Sequence, residues 1–334
     1  MAVTASDLPV HGGDLAAAEQ RWGRSAAGWL DLSTGINPWP YPLPVIDAAL
    51  WHRLPGGDAE RALLAAAKRC WGVPDSAAVV AAPGSQPLIQ AVPRLLSPRT
   101  VAVVGPTYGE HERAWAAAGH RVSVVGDLAE MGEAGAAVVV NPNNPDGRVV
   151  APERLLAVAE IMAARGGLLV VDEAFAETAP ELSLTGRSCS GLVVLRSFGK
   201  FYGLAGLRLG FAVARPDGAE RLAEMMGPWA VSGPALAIGA RALADMAWAA
   251  ETRDRLALAA AALAAVLVEG GLEIVGGTSL FQLGRHAHAA ELYERLGRAG
   301  ILVRAFADRP NLLRFGLPSD AARLARLARA LAQK

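Results

Sequence analysis

Between residues 78 and 214 the chain alternates short, nearly continuous apolar runs with segments of helical composition, and this alternation constrains the fold most. The runs are Ala78–Ala82, Thr100–Val104, Arg121–Val125, Ala137–Val140, Leu168–Val171, Leu192–Leu195 and Leu209–Ala214. Between them lie helical candidates such as Gln86–Leu96, Glu110–Ala118 and Pro152–Arg165. Strands that are apolar on both faces must be covered on both. The pattern therefore predicts an α/β fold with a mostly parallel central sheet packed between helices. At 334 residues the chain is long enough for a full core and two structural lobes.

From about Pro228 the pattern changes. Two Ala/Leu-rich helices cover roughly 234–269, followed by short strands at Leu272–Val275 and Ser279–Leu283, a helix at Ala289–Ala299, two more short strands and a closing helix. We expect a large domain over 40–228 and a smaller α+β domain made of 1–39 plus 229–334. The first forty residues read as irregular and end in Asn37-Pro38-Trp39-Pro40-Tyr41-Pro42, which neither a helix nor a central strand accepts. The longest apolar run, Leu256–Val268, is too short to span a bilayer and reads as a buried helix.

Charge and cysteine content narrow the function classes. Lys plus Arg equals Asp plus Glu at 32 each, with no basic block, which argues against nucleic-acid and acidic-membrane partners. Two cysteines, Cys70 and Cys189, form no disulfide framework and no metal-ligand spacing. With no secretion signal visible at the N-terminus, they predict a reducing cytoplasm and no metal site.

Ligands of open α/β sheets bind at the carboxyl ends of the strands, and the polar motifs fall there. Leu168–Val171 runs into Asp172-Glu173-Ala174-Phe175. A carboxylate at a buried strand end is costly unless something positive meets it, although a helix cap or metal ligand would also account for it. Leu192–Leu195 leads into Arg196-Ser197-Phe198-Gly199-Lys200, and Gly206-Leu207-Arg208-Leu209-Gly210 follows. Ser-x-x-Lys also marks penicillin-recognising serine enzymes, but their Ser-Asp-Asn and Lys-Thr-Gly companions are absent. The combination fits a lysine that forms an imine with an aldehyde cofactor, while a serine and an arginine hold that cofactor's phosphate. Asn141-Pro142-Asn143-Asn144-Pro145-Asp146-Gly147 follows another strand, and by composition alone is an ordinary turn. Pro83-Gly84-Ser85-Gln86 offers backbone N–H groups to an anion, and Tyr108 in Pro106-Thr107-Tyr108-Gly109 can cover a planar ring.

In order and spacing these elements resemble the fold-type I pyridoxal 5′-phosphate (PLP) enzymes of the aspartate aminotransferase superfamily, from Asn37 to the Arg314 region. The resemblance implies that Lys200 binds PLP covalently and Asp172 pairs with the protonated pyridine nitrogen. It further implies that Asn144 bonds the phenolic oxygen, Tyr108 stacks on the ring, and Gly84, Ser85, Gln86, Ser197 and Arg208 bind the phosphate. Arg314 matches the arginine that grips a substrate α-carboxylate.

Other positions narrow the branch. Phe175 stands where many relatives carry a tyrosine that reaches the phenolic oxygen. Leu54, in His52-Arg53-Leu54-Pro55, replaces a tyrosine that in many relatives reaches the neighbouring subunit's phosphate. His11-Gly12-Gly13-Asp14, the stretch from Leu30 to Pro38, Pro228-Trp229-Ala230-Val231-Ser232 and Ile301-Leu302-Val303-Arg304 together resemble the L-threonine-O-3-phosphate decarboxylases of cobalamin biosynthesis, relatives of the histidinol-phosphate aminotransferases. That resemblance implies decarboxylation of L-threonine O-3-phosphate to (R)-1-aminopropan-2-yl phosphate by a homodimer. Substrate contacts would come from His11, Gly12, Gly35, Asn144, Arg304 and Arg314. Trp229 reads as packing rather than as a substrate contact. The alternatives are an aminotransferase of histidinol-phosphate type and a non-catalytic PLP-binding regulator. Regulators of this lineage carry an N-terminal DNA-binding domain, for which forty irregular residues leave no room.

Overall fold

The computed structural model describes residues 12–187 and 189–333. They form two compact units. The larger comprises Pro40–Asn144 and Arg148–Ala250; the smaller comprises the chain up to Trp39, Pro145–Gly147 and the chain from Glu251.

A two-residue strand, β1 (Leu30–Asp31), precedes the seven strands of the main sheet. These are β2 (Ala78–Ala82), β3 (Thr100–Val104), β4 (Arg121–Val125), β5 (Ala136–Val140), β6 (Leu168–Asp172), β7 (Leu192–Ser197) and β8 (Gly210–Ala214). Their order across the sheet is β2-β8-β7-β6-β5-β3-β4. Only β8 runs opposite to the other six strands, so the sheet is mostly parallel as the sequence predicts. Val101, Val103, Val138, Val170 and Val193 fill its core against Leu88 and Trp115. β4 lies at the edge and is largely exposed, which explains its charged and polar residues. The helix after β2 is α-helical only over Ser85–Ala91; Pro93 removes an amide, and Val92–Leu95 tightens into a 3₁₀ turn.

In the smaller unit β9 (Glu273–Thr278), β10 (Phe281–Arg285), β11 (Ile301–Leu302), β12 (Arg304–Ala305) and β13 (Leu312–Gly316) follow. An antiparallel sheet is ordered β12-β13-β10-β9, and β1 pairs in parallel with β11. Gly316 N donates to Leu32 O at 2.7 Å, which fastens the segment after β1 onto the end of β13.

Two expectations need correction. The first forty residues are not wholly irregular: Leu15–Trp22 is a helix whose N-cap, Asp14, accepts a hydrogen bond from Ala17 N. A capping aspartate before an alanine-rich stretch is what starts this helix. The apolar run 256–268 lies in a helix, Met246–Glu269, that is buried on one face only. Leu256, Ala260, Leu263 and Leu267 are buried, whereas Leu258 and Val268 are exposed. Among the described residues no helix is long and apolar enough to cross a membrane.

Candidate active site

β6 ends at Asp172, whose side chain is buried. Its Oδ1 accepts from Ala174 N at 3.0 Å, and its Oδ2 lies 2.8 Å from His111 Nε2. His111 is buried in the first turn of the helix Glu110–Ala117, and the Tyr108 ring stands edge-on to it at 6.2 Å. Tyr108 donates its hydroxyl to Gln86 Oε1 at 3.3 Å, and Gln86 Nε2 donates to Glu110 Oε2 at 3.1 Å. Burial first, then the carboxylates of Glu110 and Asp172, hold the Tyr108 hydroxyl protonated above the usual tyrosine range.

Sheet register gathers the phosphate-binding candidates. Gly210 pairs with Ala82 on one side and with Ser197 on the other, so the turn after β2, the entry to β8 and the end of β7 converge. Gly84 has φ 93°, and a Cβ there would stand 2.6 Å from Arg208 Nη2; a Cβ on Gly210 would stand 2.3 Å from Ser85 N. These two missing side chains let the Arg208 guanidinium and the Ser85 amide approach the turn closely, a donor set that fits a phosphate. Arg208 is itself held in the left-handed region (φ 52°), a strained conformation of the kind that clusters at functional sites. Lys200 is half-buried on the short helix Phe198–Phe201 that follows β7 directly. That helix is clamped by stacked rings: Phe198 on Tyr202 at 4.3 Å and Tyr202 on Trp248 at 5.6 Å.

The asparagine loop leaves β5 beside Asp172, with Asn141 N donating to Asp172 O at 2.8 Å. Asn141 bonds Val150 through both ends of its amide. Asn143 accepts from Thr107 Oγ1 and donates to Pro106 O. These two hold the loop's frame, and Asn144 follows them half-buried.

In the smaller unit Arg304 and Arg314 are register partners on β12 and β13. Arg314 is buried and donates Nη2 to Ser33 O at 2.8 Å. Burial, then the Arg304 charge, pull its pKa down to about 10, with Asp31 working in the opposite direction. Burial also lowers Arg304. Ser33 Oγ donates to Asp31 Oδ1 at 2.6 Å and accepts from Gly13 N at 2.7 Å. Gly12 packs so closely that a Cβ would lie 2.4 Å from Ser33 O. Gly35 is buried two residues further along the same segment. His11 lies outside the described residues.

Residues 51–331 match the family described as aminotransferase class I and II. The chain belongs to that family. Over 337 residues, 97% of this chain and 98% of the relative, it is 48% identical to a threonine-phosphate decarboxylase from Sinorhizobium sp.. It is 44% identical to a threonine-phosphate decarboxylase from Pseudomonas aeruginosa, over 96% of each. Among solved structures it resembles a histidinol-phosphate aminotransferase from Sinorhizobium meliloti in complex with pyridoxal-5′-phosphate. The TM-score there is 0.82 at 22% identity, over 98% of this chain and 95% of that one, a likeness of fold.

On this class I and II aminotransferase fold, two features escaped the sequence reading. His111 lies three positions after Tyr108, so the helical turn that begins there was the available signal. The buried cluster of Arg196, Glu173 and Glu177 brings together groups whose chain positions alone do not pair them. Trp229 corrects an expectation: it is 60% exposed and sits at φ 57°, so it is not packed in the core. It lies in the turn between the helices Pro216–Met226 and Gly233–Ala244. Phe175, by contrast, is buried.

Proposed function

We propose that the protein is a PLP-dependent carboxy-lyase that converts L-threonine O-3-phosphate to (R)-1-aminopropan-2-yl phosphate and carbon dioxide, within cobalamin biosynthesis. The observation that carries the reading is the pair Arg304 and Arg314, set in register on adjacent strands. The substrate bears two anionic groups, a carboxylate and a phosphate, and two neighbouring guanidiniums suit it. Histidinol phosphate bears only one. The near full-length relatives named threonine-phosphate decarboxylase support the same choice.

Bound PLP supplies an electron sink conjugated to the substrate's α-carbon. Asp172, oriented by His111 and Ala174 N, would pair with the pyridine nitrogen and favour its protonated form. Gly84, Ser85, Gln86, Ser197 and Arg208 hold the phosphate, Tyr108 covers the ring, and Asn144 bonds the phenolic oxygen. Lys200 Nζ would hold the cofactor covalently and would be the group that supplies a proton to the substrate's α-carbon. Arg314 would grip the substrate's α-carboxylate, and Arg304, Asn144, Gly12, Gly35 and His11 would take the rest of the substrate.

We also read the protein as a cytoplasmic homodimer. Cys70 and Cys189 form no disulfide, which supports the first. Exposed Leu43, Val45, Trp51, Leu54 and Trp229 on the larger unit support the second. Sedimentation that finds only monomer at micromolar protein would remove the dimer.

The deciding assay gives purified, PLP-loaded protein threonine phosphate and measures gas release. Stoichiometric carbon dioxide with no 2-oxo acid added is expected. Turnover that demands a 2-oxo acid and releases no carbon dioxide would make the enzyme an aminotransferase.

A further inference from the structure

Behind the cofactor cradle, on the opposite face of the strands that carry it, lies a buried ionic cluster that the reading above does not use. Successive side chains on a strand point to opposite faces. Asp172 is followed by Glu173, and Ser197 is preceded by Arg196, so each cofactor group has a charged residue one peptide away on the other side. Arg196 Nη1 donates to Glu173 Oε2 at 2.7 Å, and Nη2 lies 2.5 Å from Glu177 Oε1. All three side chains are buried.

The cluster is fastened on every side. Glu173 also accepts from Ser183 Oγ at 2.5 Å and from Leu184 N at 2.6 Å. Glu177 accepts from Trp71 Nε1 at 2.7 Å, and the Arg196 guanidinium lies 4.9 Å over the Trp71 ring. Burial works against the charge on Arg196, but Glu177 and Glu173 outweigh it and raise its pKa. Tyr202, two residues beyond Lys200, is raised well above the usual range, by burial first and then by Glu177. The cluster thus reaches the end of β6, the turn Ala176–Thr178, the end of β7 and the ring stack that clamps the Lys200 helix.

A stability role alone does not account for it. Replacing a buried ionic triad with apolar residues of similar volume is often neutral or stabilising. What the triad supplies is geometry, because a planar guanidinium fork fixes two carboxylates at once. Glu173 N donates to Leu195 O at 2.8 Å, so the arginine fork and this backbone bond fix the same pair of strand ends.

We propose that Arg196, forked between Glu173 and Glu177, is a positioning residue that fixes where Asp172 and Lys200 stand relative to one another. This rests on the reading of those two residues as cofactor-binding.

The test uses PLP-loaded protein and three variants, measuring the pH titration of the visible band of bound PLP, kcat, KM and thermal midpoint. Arg196→Lys keeps the charge but loses the fork. Since an ångström of misplacement costs up to about 100-fold in rate, kcat falls by about 30-fold with KM within about twofold. The titration midpoint moves by about one pH unit. Glu177→Gln leaves Arg196 on Glu173, shifts the midpoint in the same direction by less, and carries the test if Arg196→Lys fails to fold. A lower thermal midpoint with unchanged titration and kcat in the folded variants would overturn the proposal and leave the triad purely structural. Lys200→Ala separates the two readings. If it keeps the visible band, the cofactor-site reading fails; if it loses the band while Arg196→Lys and Glu177→Gln match the wild type, only the positioning role fails.

Discussion

In the larger unit the buried groups at the ends of β6 and β7 meet groups of opposite character: Asp172 faces His111, and Arg196 lies between Glu173 and Glu177. In the smaller unit two groups of like charge stand together. Arg304 and Arg314 are placed side by side, each at least half-buried, and the Arg304 charge helps to hold Arg314 down. A cluster of hydrogen-bonded, oppositely charged groups suits a resident group that must be kept in one geometry through many turnovers. Two adjacent guanidiniums suit a transient anionic ligand that binds and leaves with each turnover. The contrast teaches which residues should govern cofactor and chemistry, and which should govern substrate capture.

The hardest blow to that division is at Asp172. Asp172→Asn keeps the shape but not the charge, and kcat should fall about 1,000-fold, ~4 kcal/mol of barrier, with KM little changed. His111→Gln, which acts through Asp172, should cost about tenfold. A large rise in KM from either variant, at unchanged kcat, would blur the distinction between the two regions. On the other side, Arg314→Gln should lower kcat/KM by about 100-fold, because truncating one partner of a buried charge pair costs roughly 2–5 kcal/mol. Arg314→Lys should recover only part, since an ammonium lacks the bidentate fork. Steady-state kinetics on threonine phosphate, with cofactor content fixed by absorbance, measures all four.

The sheet was legible because strands that must be buried on both faces can be written in few ways, and every run from Ala78 to Ala214 became a strand, three with the same ends and four with one end shifted by a residue or two. The motifs at Asp172, Lys200, Arg208 and Gly84 were legible for a similar reason: strand ends and tight turns tolerate few residue types. His111 was hidden because a lone histidine in a polar stretch carries no pattern of its own. The Arg196 triad was hidden because Glu173 and Glu177 read as ordinary helix-and-turn carboxylates until β6 and β7 are paired. Trp229 misled because a tryptophan usually means packing, whereas here it is exposed.

Gly84 tests the cofactor side more gently. At φ 93°, Gly84→Ala adds backbone strain, and its Cβ meets the guanidinium of Arg208. The end of an arginine side chain can give way, so the expected loss is about tenfold in PLP affinity, ~1.4 kcal/mol, rather than collapse. Titrating the apoprotein with PLP reads it. Unchanged PLP affinity would remove Gly84 and Arg208 from the phosphate cradle.

The smallest effect is a pH dependence confined to the smaller unit. In its proposed role Arg314 would bind a carboxylate only in its protonated form, and its pKa is held at about 10 by burial and then by Arg304. Charge on Arg314 is therefore present below that value and lost as pH rises through it. KM for threonine phosphate should be flat near neutrality and about double by pH 10, then climb about tenfold for each further unit as the protonated fraction falls. Substrate opposes the change, since a bound anion stabilises the cation, so the rise belongs to the free enzyme and appears in kcat/KM rather than in kcat. Arg304→Gln removes the neighbouring like charge that contributes to the lowering, and the alkaline limb should move to higher pH even though KM at neutrality rises. A limb that stays in place in Arg304→Gln would mean that the two arginines do not feel one another, and the contrast between paired and repelling charge would lose its second half.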